Sequence, residues 1–203
     1  MKRKKLTASM IALVMSVSLP MTTYAANWYL EDGSVTVNAD NSGQTVTQGS
    51  SSAVPDEAPV ITQRESSVET GNTIAINASD NATANVTIKD INIKSSNDAI
   101  DVKGSSSANI TLEGDNKIFS ETGSALHVSD GNVTINGSGS LKAEIQDEPF
   151  GYNHNAKIGS HEKEDMSGSI HITGDATVKT DGNIAPDCGG DGAVSYTHLR
   201  AHE

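Results

Sequence analysis

Five oxygen-bearing residues stand where a repetitive chain would turn: Asp98, Asp101, Asp115, Asn116 and Asp130. Carboxylate and amide oxygens are hard donors that suit calcium, and stacked turns would bring such oxygens together from different segments. The competing account is local, because Asp and Asn bond their own backbone at turns. The sequence holds neither an EF-hand loop nor a Gly-Gly-x-Gly-x-Asp nonapeptide. His154 and His161 flank an irregular segment, and their spacing fits no zinc pattern. Cys188 is the single cysteine, so it forms no internal disulfide, and nothing near it in sequence suggests a catalytic dyad. Asp147-Glu148 and the run from Glu162 to Asp165 read as solvated loop surface. Arg64 lies in Thr62-Gln-Arg-Glu65 with no flanking motif, which speaks against a lyase using an arginine base. No catalytic residue is expected.

These residues must be positioned by a repeat. Four segments share the pattern polar-Ψ-x-Ψ-x-Gly/Asp, with Ψ aliphatic: Asn85 to Asp90, Asn109 to Gly114, Asn132 to Gly137 and Ser169 to Gly174. Their starts are 24, 23 and 37 residues apart. Each is followed by a second short alternating piece: Ile91 to Ile93, Lys117 to Phe119, Ser140 to Ala143 and Ala176 to Val178. A third series falls between them, at Asp98-Ala-Ile, Ser124-Ala-Leu, Asn155-Ala-Lys-Ile and Ala185-Pro-Asp. Period-2 alternation sends Val86 and Ile88 to one face and Thr87 and Lys89 to the other. The reading is all-β: a right-handed parallel β-helix, a solenoid of about four to six short three-strand turns. An antiparallel sandwich is the alternative, since it also has many short strands with Gly, Asn and Asp turns. In the solenoid, Asn85, Asn109 and Asn132 would stack as a ladder. The third unit is 14 residues longer than the second, and Pro149 and Gly151 break any strand there. The excess is expected to be a loop at about 146–163.

The ends differ from this middle. Lys2, Arg3, Lys4 and Lys5 precede an apolar run from Leu6 to Leu19, then Pro20 and small residues ending in Ala25. That order is a secretory leader, residues 1–25, with a run too short to span a bilayer. Residues 26–71 are expected to form an N-terminal cap and first irregular strands. Trp28-Tyr-Leu, Ser34 to Asn38, Gln44 to Thr47 and Val60 to Gln63 are the strand candidates there, and Gly49 to Glu57 is a loop. Trp28 would cap the open end of the coil or offer a platform for a sugar. Residues 72–193 carry the repeats. The last ten residues, 194–203, break the repeat and turn from acidic to basic. They resemble an adaptor-derived translation, so the native chain is expected to continue past Ala193.

Charge limits the partners. The chain has 14 Lys+Arg and 26 Asp+Glu for a net charge of −12, and the leader holds four of the basic residues and none of the acidic ones. Without the leader the charge is −16. Such a surface repels nucleic acid and anionic lipid, and no membrane span is expected after cleavage. Only 3% of residues are aromatic, which suits a thin core of stacked Val, Ile and Leu.

The segments Val128 to Leu141, Ser169 to Val178 and Asn81 to Ile93 resemble the carbohydrate-binding parallel β-helix family of clostridial-type secreted and surface proteins. The likeness covers about residues 28–192. It implies a right-handed parallel β-helix without catalytic activity, with bound Ca2+, that binds acidic plant polysaccharide such as pectin-like polygalacturonate. In that family an Asp before the short Gly/Ala-Ile strand contributes to the ion sites. Here that position is Asp98, and Ser124 and Asn155 stand on the next rungs. The expected function is a secreted or cell-surface, non-catalytic polysaccharide-binding protein. A structural or adhesive stalk is the alternative, and a polysaccharide lyase or hydrolase the remote one.

Overall fold

The computed structural model describes residues 25–146, 155–161, 164, 168–180 and, for the backbone, 193–196. The leader, His154, Cys188, the Gly-rich segment around it and the final residues lie outside these. Among the described residues regular structure is all β, apart from a 3-10 turn at Leu30–Asp32. In chain order the strands are β1 (Asn27–Tyr29), β2 (Val35–Asp40), β3 (Gly43–Gln48), β4 (Val54–Pro55), β5 (Val60–Thr62) and β6 (Ile74–Ala78). They continue with β7 (Thr83–Lys89), β8 (Asn92–Ser95), β9 (Ile100–Lys103), β10 (Ser107–Glu113), β11 (Asp115–Ser120) and β12 (Leu126–Val128). The last are β13 (Asn132–Gly137), β14 (Ser140–Ile145), β15 (Ile158–Gly159), β16 (Ser169–Ile172), β17 (Thr177–Thr180) and β18 (Ala193–Tyr196).

These strands form three sheets, ordered β1-β5-β7-β10-β13-β16-β18, β17-β14-β11-β8 and β15-β12-β9-β6-β2-β3-β4. From β7 to β17 the chain visits the first, second and third sheet in turn. From β10 to β17 each strand pairs in parallel with the strand one round earlier. Among the described residues antiparallel pairing is confined to β2-β3 and β3-β4, near the N-terminal end. The stretch from Gly49 to Glu57 is therefore not wholly a loop, since it contributes β4. Likewise the expected excursion at about 146–163 contains β15, which pairs with β12.

Alternation explains the core. In β7 Ala84, Val86 and Ile88 are buried, in β10 Ala108, Ile110 and Leu112, and in β13 Val133 and Ile135. Ile93, Ile118, Leu141 and Ala143 do the same in the second sheet, and Ile76, Ile100, Val102, Leu126 and Ile158 in the third. All belong to one continuous cluster. Each fully buried aliphatic side chain contributes about 1.5–3 kcal/mol, so a core without aromatic rings suffices.

Register corrects two expectations. Asn109 pairs with Asn85 and its amide donates to the Asn85 Oδ1 at 3.0 Å, but it faces Thr134, not Asn132, on the next strand. Asn132 faces Ser107 and receives a hydrogen bond from Ser169 Oγ. The paired positions are 24 residues apart between β7 and β10 (Asn85–Asn109) and 25 apart between β10 and β13 (Thr111–Asn136). A slip of two residues keeps every aliphatic side chain on the inner face, so burial does not resist it. Gly137 marks the new register: it has φ +107°, and a Cβ there would overlap the Leu112 carbonyl. The second correction concerns Asn155. Leu126 pairs with Ile100 and with Ile158, so Ala156, rather than Asn155, continues the column of Asp98 and Ser124.

The N-terminal end is held by polar contacts. Arg64 donates to Asp32 at 2.6 and 3.0 Å and lies over the Tyr29 ring at 4.1 Å. Trp28 packs against the core, and its indole N–H donates to the buried Asp56 at 2.9 Å. A ring so engaged is a poor platform for a sugar.

Candidate functional site

Two constellations stand out on the outward faces. One is built by register alone. On the second sheet Asn92, Lys117, Lys142 and Lys179 occupy the same position on β8, β11, β14 and β17. The three lysines are exposed and sit one strand apart, about 4.8 Å in the hydrogen-bonding direction. Lys94, Phe119 and Glu144 form the neighbouring row, with the Lys94 ammonium 5.6 Å from the Phe119 ring centre. Glu69, Asn92, Lys94, Lys117, Phe119 and Glu144 line a shallow groove of about 190 Å³. Lys142 pairs with Glu144 at 2.8 Å. Four of the eight lysines beyond the leader thus share one face of an otherwise acidic chain. Like charges directly opposite on a sheet are destabilising, so folding energetics do not favour such a column.

The other constellation lies on the third sheet, where a following segment folds over it. His127 on β12 faces Asp101 on β9 and Gly159 on β15. Leu126 and Val128 point into the core, so His127 points out; even so only 3% of it is exposed. Gly159 has no side chain to cover that position, and His161 lies there instead. The two imidazole rings stack, with centroids 4.0 Å apart and planes 12° from parallel. His127 Nδ1 meets Asp101 Oδ1 at 2.9 Å, and His127 Nε2 meets Glu164 Oε2 at 2.7 Å. His161 Nε2 meets Asp98 Oδ1 at 2.7 Å. Asp98 is fixed from its own side: it also accepts from the Ser124 N–H at 2.8 Å, and a Cβ on Gly123 would overlap its carboxylate. Ser124 and Ser160, beside this cluster in sequence, have buried hydroxyls without a hydrogen-bond partner.

Electrostatics follow from these contacts. Burial works against charging His127, but its hydrogen bonds to Asp101 and Glu164 and the nearby charge of Asp98 outweigh that, and its pKa is raised. Burial likewise opposes ionisation of Asp101, yet His127 and Lys103 hold its pKa below the usual carboxylate value. The pKa of Glu164 is lowered for the same kind of reason, by His127 and the His161 backbone N–H against a burial penalty. Asp98, His127 and His161 each place one metal-ligating atom within 4.8 Å of the others.

Of the five oxygen ligands expected from sequence, Asp98 and Asp101 enter this cluster. Asp115, at the start of β11, accepts from Ser140 Oγ at 2.8 Å. Asn116 is buried and acts as a bracket between rounds: it donates to the Glu113 and Ser140 carbonyls and accepts from the Ile91 N–H. Asp130 lies in the turn between β12 and β13. The five therefore fall in three places. His161 joins His127, and His154 lies outside the described residues. His127 and the lysines were missed by sequence reasoning, although a signal existed. Asp101 and His127 are 26 residues apart, and Lys117 and Lys142 recur at the same pattern position.

No family model matches the chain, and no curated protein or solved structure matches it.

Proposed function

We propose that this chain is a secreted or cell-surface, non-catalytic protein that binds an acidic polysaccharide along the lysine column of its second sheet. The observation that carries this reading is the in-register row Lys117, Lys142 and Lys179 beside Lys94 and Phe119. A polymer with a carboxylate on each sugar meets cations at regular intervals there, and Phe119 offers a partly covered apolar surface to a sugar face. The round-by-round visit to three sheets is read as a right-handed parallel β-helix, because parallel crossover connections are right-handed in nearly all cases. That architecture makes the column: each added round places one more side chain above the last. The repeat text and the leader support export and a polysaccharide-binding role.

A calcium-bridged mode rests on Asp98, Asp101, Asp115, Asn116 and Asp130, and it draws less support because they are dispersed. Affinity electrophoresis in gels containing polygalacturonate separates the readings. Direct lysine contact gives retardation that survives EDTA, weakens as salt rises, and is absent for a neutral glucan. Retardation abolished by EDTA would favour calcium bridging instead. A stalk shows no retardation in any ion condition, and new reducing or unsaturated ends would reveal an enzyme.

A further inference from the structure

We propose that Asp98, Asp101, His127 and His161 form a binding site for a transition-metal dication of the zinc class. The argument starts with the donors. Two imidazoles and two carboxylates are the mixed nitrogen and oxygen set that such ions take in four-coordinate sites. Calcium prefers oxygen alone, so the imidazoles change the ion expected at Asp98 and Asp101.

The placement is one-sided in a useful way. Stacking aligns the two rings so that each presents one nitrogen to the Asp98 edge and the other to the Glu164 edge. On the Asp98 edge lie His127 Nδ1, His161 Nε2, Asp98 and Asp101. On the opposite edge Glu164 Oε2 is 2.7 Å from His127 Nε2 and 3.7 Å from His161 Nδ1. A carboxylate holding the far nitrogen of an imidazole fixes its tautomer and orientation for metal binding. Glu164 is placed to do this for His127, and it is the positioning residue of the site.

The elements explain why the donors converge. β9 and β12 bring Asp101 and His127 into register. The corner before β9 supplies Asp98, and the chain leaving β15 supplies His161. The donors thus come from three successive rounds, and the ligating atoms of Asp98, His127 and His161 still lie within 4.8 Å of one another.

Metal entry requires two changes. Parallel rings 4.0 Å apart direct their lone pairs side by side, so the stack must hinge open for one ion to lie in both ring planes. Asp101 must also release His127, and it is shared with Lys103. The competing account is a closed ion-pair cluster that binds nothing.

Titration calorimetry of the full chain with zinc chloride, after chelator treatment and dialysis, tests the proposal, with cobalt(II) as an optical reporter. One equivalent binds, and cobalt gives the visible bands of a four-coordinate site. His161→Ala and Asp98→Asn each weaken binding by at least about tenfold, and Glu164→Gln by about 10–100-fold. Lys117→Ala leaves it unchanged. Absence of binding heat and of cobalt bands would show a closed cluster and overturn the proposal. Binding that survives both His161→Ala and Asp98→Asn overturns it too, by assigning the ion to other histidines. If the variants fail to fold, X-ray absorption at the zinc edge of the unaltered protein decides: two imidazoles at about 2.0–2.1 Å support the site, and one or none sinks it.

Discussion

The lysine face and the histidine cluster sit on outward faces of the same rounds, yet they are made differently. The lysine face is periodic. Lys117, Lys142 and Lys179 stack because consecutive strands of the second sheet are in register, and no other segment needs to move into place. The histidine cluster is singular. β9 and β12 contribute Asp101 and His127 by register, but His161 and Glu164 arrive from the irregular chain after β15 and bury what the sheet had left outside. Register alone yields an open row of like charges suited to a long polymer. Register plus an excursion yields a closed cluster of opposite charges around two stacked rings.

If that contrast holds, damage should differ in kind. The largest expected effect is on stability at the cluster. His127→Ala removes the imidazole that Asp98, Asp101 and Glu164 surround, whose pKa they raise, and leaves a void beneath His161. Breaking a buried ion pair by removing one partner typically destabilises by about 3–5 kcal/mol. The partial exposure of the carboxylates points to the lower end, about 3 kcal/mol, readable by urea denaturation.

A pH profile in metal-free buffer sharpens the same point. The folded His127 pKa lies above its ordinary 6.5, so its contribution is fully present below that value and is lost as pH rises through the folded value. Asp101 and Glu164 lie below their ordinary 3.8 and 4.5, so their contributions are present above those values and are lost as pH falls through the folded ones. The cluster therefore stabilises most between 4.5 and 6.5. The melting temperature should decline on both sides of that window, and His127→Ala should flatten the alkaline limb. An unchanged alkaline limb would mean that His127 is not charged in the folded protein.

The lysine face should respond in binding instead. Lys117→Ala with Lys142→Ala should weaken polygalacturonate binding by about fivefold, on the order of 1 kcal/mol for two exposed ionic contacts. Half as much retardation at twice the salt would fit the same picture, and equal retardation of wild type and variant would break it. The smallest effect is on folding. Lys117→Ala should alter stability by no more than about 0.5 kcal/mol, and its sign should be favourable, because it removes a like-charge neighbour. A loss of 2 kcal/mol or so in the same urea assay would show that the column is structural.

Much of the fold was legible because it depends on local alternation. The aliphatic positions at Val86, Ile88, Ile110, Leu112, Val133 and Ile135 are all buried as alternation requires. The short second pieces became β8, β11, β14 and β17. Legibility ended at register. Asn132 carries the same text as Asn85 and Asn109, but likeness of text does not decide which residues face each other when a shift of two leaves the core unchanged. The lysines are visible as letters, but their alignment is not, because it depends on the register between rounds. The histidine cluster was harder. Asp98 and Asp101 are legible as oxygen donors and His161 as one of two histidines flanking an irregular segment, while His127 lies between Leu126 and Val128 in an apolar strand. Nothing local connects Asp98 with His161, which are 63 residues apart.

By itself the sequence determined the strand content, the inward-facing residues and the acidic balance, because alternation and charge are properties of neighbouring letters. The tertiary structure alone decided that three lysines form one column and that two histidines stack among three carboxylates. Those are contacts between rounds, set by how many residues each round spends at its corners, and that count has no local signature.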